Sequence, residues 1–165
     1  MLEINPSETV ILPNGAQEWR LNGMRHREDG PAVIWPDGTR EWYLMGQRHR
    51  LDGPALILPD GSEKWYRDGL RHREDGPAVI HADGREEWWF ENKIHRSDGP
   101  AYVDILGTKF WHRDGLKHRE DGPAVIRING GEEWWENGRQ VESPEMRRSP
   151  TGFIARLVQY LSGQK

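Results

Sequence analysis

Hydrophobic and polar residues recur along this chain with a period of 23 residues. The segment Asp-Gly-Pro-Ala returns at that spacing, beginning at Asp29, Asp52, Asp75, Asp98 and Asp121. A tryptophan returns in step, at Trp19, Trp42, Trp65, Trp88, Trp111 and Trp134. Projected backwards, the first unit begins near Glu8 and lacks Asp-Gly-Pro-Ala, so the chain contains six units without an insertion.

Each unit has the residue pattern of a β-hairpin. A short apolar run rich in β-branched residues comes first, as in Ala-Val-Ile-Trp at 32–35. Asn-Gly or Asp-Gly usually follows and favours a tight turn, and a second strand then runs through the tryptophan to another turn. Two turns and a proline in every unit leave no window for a helix. We therefore predict an all-β fold, a single-layer twisted antiparallel sheet of about six hairpin repeats.

The unit resembles a known family of repeats. Asp-Gly, an aromatic strand and Gly-x-x-His within 23 residues are similar to the MORN (membrane occupation and recognition nexus) repeat, over about residues 8–140. The run His-Arg-x-Asp-Gly-Pro-Ala departs from the common His-Gly-x-Gly, so the resemblance is to a divergent MORN-like repeat. It implies a hairpin array that acts as a non-enzymatic scaffold for protein partners, and some members of the family contact membrane lipids.

The C-terminal segment has a different pattern, which divides the chain into a repeat array at 1–142 and a linker with a helix at 143–165. Ser149-Pro150 is typical of a helix start. One apolar stripe follows, consisting of Phe153, Ile154, Leu157, Val158 and Leu161. We expect an amphipathic α-helix that caps the last hairpins, with docking or homodimerisation through it as the alternative.

Composition and charge narrow the classes of function. The chain has no cysteine, which excludes disulfides and thiolate zinc sites, and the N-terminal residues lack the pattern of a signal peptide. No apolar run approaches the length of a membrane span, so we expect a cytoplasmic protein. Residues 1–142 carry 19 basic and 26 acidic side chains, a net charge of −7, which argues against nucleic-acid or membrane partners.

His26, Arg27 and Asp29 together suggest acid–base catalysis, but the same trio occurs five times. An active site needs one preorganised constellation, so we interpret the motif as a joint in which Gly permits the turn and Arg and His pack over tryptophans. Equivalent histidines lie about 10 Å apart and cannot share a metal ion. We expect no enzyme activity, no cofactor and no metal site.

The tryptophan column is expected to form core, and its sequence neighbours lie on the other face of the sheet. That face combines aromatic rings with Glu41 and Glu87, and it lies beside a first-strand column that varies between units. It stays open whether a partner reads this column or the column is unconstrained. It also stays open which first-strand residues share a face with the tryptophans, because this depends on the number of residues in the turn. The candidate binding residues are Tyr43, Tyr66, Trp89, His112, Trp135, Glu41, Glu87, Trp35, His81 and Asp104.

These features favour a non-enzymatic module, a scaffold or an inhibitor, that binds a protein partner through an aromatic and acidic strip. Two alternatives remain from the sequence. One is a lipid- or nucleic-acid-binding repeat protein. The other is a hydrolase with a site in the irregular fifth unit, where Asp104-Ile105-Leu106-Gly107 replaces the usual turn.

Overall fold

Residues 8–148, which the computed structural model describes, fold almost entirely into short antiparallel β-strands. The strands are β1 (Glu8–Ile11), β2 (Gln17–Leu21), β3 (Met24–Arg25), β4 (Val33–Ile34), β5 (Arg40–Glu41), β6 (Tyr43–Leu44), β7 (Gln47–Arg48), β8 (Leu56–Ile57), β9 (Glu63–Lys64), β10 (Tyr66–Arg67), β11 (Leu70–Arg71), β12 (Val79–Ile80), β13 (Glu86–Glu87), β14 (Trp89–Phe90), β15 (Lys93–Ile94), β16 (Tyr102–Val103), β17 (Lys109–Phe110), β18 (His112–Arg113), β19 (Leu116–Lys117), β20 (Val125–Ile126), β21 (Glu132–Glu136) and β22 (Arg139–Val141). One short helix, α1 (Pro144–Arg148), follows them.

Fourteen strands form one long antiparallel sheet, in which each unit adds its strands beside those of the unit before. Four small hairpins, β6–β7, β10–β11, β14–β15 and β18–β19, stand at the second turns of units 2 to 5. The predicted all-β array of hairpins is therefore confirmed. It differs in detail, because the second strand of these units is divided at its tryptophan and a further short strand follows the second turn.

The two turns of a unit have different geometries. In the first turn of unit 2, the amide of Gly38 donates to the carbonyl of Trp35 at 3.0 Å, and Gly38 has a φ of 92°. This is a three-residue loop that ends in a left-handed glycine. In the second turn both residues have positive φ, as at Asp68 and Gly69, which is the geometry of a two-residue type I′ turn.

The three-residue loop decides which first-strand residues share a face with the tryptophans. Val33 lies opposite Glu41, so Val33 belongs to the face of the glutamates. We call this the strip face, and the opposite side the tryptophan face. The buried aliphatic side chains of the strip face are Val33, Leu56, Val79 and Val125.

On the tryptophan face, large and small residues alternate from strand to strand. The alanine that precedes each first strand is fully buried, at Ala32, Ala55, Ala78, Ala101 and Ala124. Ala78 accepts a hydrogen bond from the amide of Trp65 at 2.8 Å, and the register places Trp88 on its other side. The tryptophans themselves are half-buried, so they form core only in part.

The repeated His-Arg-x-Asp-Gly-Pro segment is a structural joint. The guanidinium of Arg73 lies 4.3 Å from the ring centre of Trp65, and its Nε donates to Asp75 at 2.9 Å. His72 Nδ1 accepts the amide of Glu91 in the next unit. The stacking predicted for the arginines is confirmed. The reason given for the glycine is wrong, because Gly76 has no positive φ; a Cβ there would lie 2.8 Å from Cζ of Arg73.

Replacing Gly76 with alanine should therefore displace Arg73 from Trp65 and destabilise the fold by about 1 kcal/mol, since a half-buried cation–π contact is lost. Urea denaturation measures the free energy of unfolding of the single variants and of Gly76→Ala with Arg73→Ala. Because the arginine carries the effect, Gly76→Ala should have no further effect once Arg73 is alanine. An additive double variant would contradict this explanation.

After the array, the described chain continues into α1. Ser143 caps this helix, since its Oγ accepts the amide of Met146 at 3.2 Å and Pro144 occupies the first helical position. A short helix therefore begins inside the segment that the sequence assigns to a linker and a helix. The helix predicted from Ser149 lies outside the described residues. Within residues 8–148, no helix is long and apolar enough to cross a membrane.

Candidate functional site

The strip face brings together the two groups of residues that the sequence singled out. Cross-strand partners share a face, and Glu41 lies opposite both Val33 and Leu56. Trp35, two residues after Val33, reaches the same carboxylate. The aromatic strip and the variable first-strand column are therefore neighbours on one surface.

Glu41 shows how a carboxylate is held on this face. It is 4% exposed and accepts hydrogen bonds from Trp35 Nε1 at 2.6 Å, Tyr43 Oη at 2.8 Å and Arg48 Nε at 2.8 Å. Burial raises the pKa of Glu41, but the hydrogen bonds from Arg48, Tyr43 and Trp35 outweigh burial and hold it below its ordinary value. A carboxylate satisfied in this way braces the sheet and does not face a partner.

The other glutamates of the row are held by the same principle. Glu87 accepts from Trp89 Nε1 at 2.7 Å and lies 2.8 Å from His81 Nε2, while Glu133 binds Trp135 and Arg127. Trp35, His81 and Arg127 occupy the same variable position in units 2, 4 and 6. In these units the variable residue is a partner of its own glutamate, so the column has a structural role in half of the array.

The candidate residues differ in exposure. Glu41, Tyr43 and His112 are buried. The remaining candidates are half-buried, namely Trp35, Tyr66, His81, Glu87, Trp89, Asp104 and Trp135. A partner can therefore reach the aromatic rings of Tyr66, Trp89 and Trp135 on the second strands and of Trp35 on a first strand.

Asp104 belongs to the first turn of the irregular fifth unit. Its Oδ1 accepts the amides of Leu106 and Thr108, both at 2.9 Å. In regular units an Asp or Asn at the tip accepts the corresponding amide, as Asp37 does from Thr39 at 2.8 Å. Asp104 thus accepts the hydrogen bond that the Asp or Asn at the tip accepts in regular units. The fifth unit keeps the regular turn geometry.

His112 is the buried histidine of the strip face. Burial and the positive charge of Lys117 lower the pKa of His112, and its Nδ1 has no hydrogen-bond partner among the described residues. Its ring lies 5.8 Å from that of Tyr102. His112 is therefore a neutral packing residue at neutral pH.

A row of cations that the sequence interpretation missed crosses the strip face beside the aromatic strip. Arg48 lies 5.7 Å from the ring centre of Tyr43 and 5.5 Å from that of Tyr66, and Arg71 lies 4.5 Å from that of Trp89. The row consists of Arg25, Arg48, Arg71 and Lys117. The positions recur every 23 residues, with an isoleucine in unit 4, but the sequence interpretation did not recognise them as part of a strand that pairs with the strip.

The row of acceptors is interrupted at Lys64 in unit 3 and at Phe110 in unit 5. Lys64 occupies the position of Glu41, and Arg71 occupies the position of Arg48. The Nε of Arg71 is buried without a hydrogen-bond partner, and no described carboxylate lies within 4.0 Å of its guanidinium. Unit 3 therefore contains donors on the strip face without their usual acceptor.

The histidines of the joint are occupied by backbone contacts. His26 Nδ1 accepts the amide of Met45 at 3.2 Å, and His118 Nδ1 accepts that of Asn137 at 3.1 Å. Among the described residues, no three histidine, aspartate or glutamate side chains gather into a group that could hold a metal ion.

Comparison with known proteins adds no assignment. No family model matches the chain, and no curated protein matches it as a relative.

Proposed function

We propose that the chain is a non-enzymatic protein-binding module, a scaffold or an inhibitor, that engages its partner through the half-exposed part of the strip face. The observation that carries this proposal is the alternation of aromatic rings and cations across that face, from Arg48 through Tyr66 and Arg71 to Trp89. Tyrosine, tryptophan and arginine are the residues most enriched where binding energy concentrates in protein interfaces.

The rings of this surface are held before a partner arrives. Trp89 donates to Glu87 at 2.7 Å and lies 4.5 Å from the guanidinium of Arg71. A side chain fixed in this way loses little conformational entropy on binding, which favours affinity. The binding energy would then come from Tyr66 and Trp89, and Glu87 supports the ring of Trp89 from below.

The proposal is tested by removing both rings in one variant, Tyr66→Ala with Trp89→Ala. Affinity capture from the cells that make the protein, quantified by mass spectrometry, should show a loss of partner of at least about ten-fold. Thermal unfolding of the purified variant establishes that it is folded at the temperature of capture.

The matched control replaces the residue that follows each ring, Arg67→Ala with Phe90→Ala. Both residues are exposed and lie on the tryptophan face. This control should retain the partner. Full capture by the ring variant, or an equal loss in the control, would show that the strip face is not the binding surface.

A further inference from the structure

The N-terminal units show how the strip face binds a carboxylate. In unit 1, Arg25 Nε donates to Glu18 at 3.0 Å, and in unit 2, Arg48 Nε donates to Glu41 at 2.8 Å. In both units the glutamate precedes the arginine by seven residues, and a second guanidinium nitrogen donates to the same carboxylate oxygen as Nε. Tyr43 adds its hydroxyl as a further donor to Glu41.

Unit 3 retains these donors and lacks the acceptor. The residue seven before Arg71 is Lys64, so the internal carboxylate is replaced by a second cation. Within residues 8–148, neither Lys64 Nζ nor the Tyr66 hydroxyl has a hydrogen-bond partner, and the buried Nε of Arg71 has none either. A buried donor without an acceptor is unfavourable. The terminal nitrogens of Arg71 are not among the buried atoms, so an acceptor from outside can approach the guanidinium through them.

The surroundings hold Arg71 in position without neutralising it. Its guanidinium lies 5.8 Å from the ring centre of Tyr66 and 4.5 Å from that of Trp89. Burial raises the pKa of Glu87, but the hydrogen bonds from His81 and Trp89 and the electrostatic attraction of His81 and Arg71 hold it below its ordinary value. Those two residues occupy the carboxylate of Glu87, which makes no ion pair with Arg71.

We propose that Lys64, Tyr66 and Arg71 bind the side-chain carboxylate of an aspartate or glutamate of a protein partner, in the place that Glu41 fills in unit 2. Two cations and a hydroxyl complement one carboxylate. Glu41 and Glu87 lie two strands from Lys64 on either side, about 10 Å along the sheet, and their negative charges oppose a polyanion such as nucleic acid. The source of the carboxylate rests on the proposed function, whereas the anion site itself is tested without a partner.

The test uses the full chain with nitrogen-15-labelled arginine side chains. The probe is N-acetylglutamate α-amide, whose only charge is the side-chain carboxylate, and the Nε–H signal of Arg71 is assigned by its absence in Arg71→Lys. This signal should shift saturably as the probe is added, whereas sodium chloride at equal ionic strength should leave it unchanged. The Nε–H signal of Arg48, already bound to Glu41, should not respond.

Lys64→Glu restores the internal carboxylate and serves as the decisive variant. Its Arg71 signal should be shifted without the probe and should not respond to it. Lys109→Glu makes the same charge change on the exposed tryptophan face and should respond as the wild type does. An Arg71 signal that ignores the probe, or that responds equally in Lys64→Glu, overturns the site. Saturation by phosphate at much lower concentration overturns the carboxylate assignment.

The partner distinguishes this inference from the proposed function. We expect Lys64→Glu to lose the captured partner about as strongly as the double ring variant does. If Lys64→Glu retains the partner while the ring variant loses it, the carboxylate contact is wrong and the binding face is right. If the ring variant retains the partner, the proposed function fails, whatever the probe shows.

Discussion

Replacing Glu41 with alanine is expected to lower the free energy of unfolding by about 3–5 kcal/mol, the range observed when one partner of a buried ion pair is removed. The variant leaves Arg48, Tyr43 and the indole of Trp35 without their common acceptor. Each of these donors is partly or fully withdrawn from water, so the lost hydrogen bonds are not fully replaced. Urea denaturation at pH 7 measures the change.

The same carboxylate makes stability depend on pH. Because the pKa of Glu41 is lower in the folded chain than in the unfolded chain, its contribution is present above the unfolded value and is lost as the pH falls through the folded value. Glu41→Ala removes this contribution. The stability difference between wild type and variant should therefore shrink on acidification.

Glu86→Ala is the matched control, because Glu86 adjoins Glu87 in β13 but is exposed on the tryptophan face. Its effect should stay within about 0.5 kcal/mol, as for surface substitutions in general. A loss below about 1 kcal/mol for Glu41→Ala would show that solvent screens this network and that the glutamates do not brace the array.

The period of the sequence was sufficient to predict the architecture, because every unit repeats the same turn chemistry. Asp68 and Gly69 both have positive φ, which is the geometry of a two-residue type I′ hairpin turn. The face of the sheet on which the first-strand side chains lie was not predictable, since one residue more or less in the loop moves Val33 to the other face. The hydrogen bonds of the three-residue turn at Trp35 and Gly38 settle it.

The site was predictable as a face and not as an electrostatic arrangement. Strand alternation places Glu41 and Tyr43 together correctly, but the sequence does not show that Arg48 returns across the turn to bind them. The residue pattern of the second strands suggested an acidic binding strip, whereas other side chains of the array already bind these carboxylates. Unit 3, where Lys64 precedes Arg71, becomes informative only once the pairing of Arg48 with Glu41 is known.

Replacing Ala78 with leucine is expected to destabilise the fold by about 3 kcal/mol, at the upper end of the usual effect of overpacking. Ala78 is fully buried, and the strand register places it between Trp65 and Trp88. The larger side chain must displace at least one ring, and with it the guanidinium that covers that ring, as Arg73 covers Trp65. Chemical denaturation measures the loss.

Ala82→Leu is the matched control, because it makes the same substitution four residues later, at an exposed position. Its stability should stay within about 0.5 kcal/mol of the wild type. In Ala78→Leu, tryptophan fluorescence should also change, since the displaced ring becomes exposed to water. Equal stability of the two leucine variants would contradict the alternation of large and small residues as the device that spaces the strands, and would leave the arginine stacks as the main support of the tryptophan face.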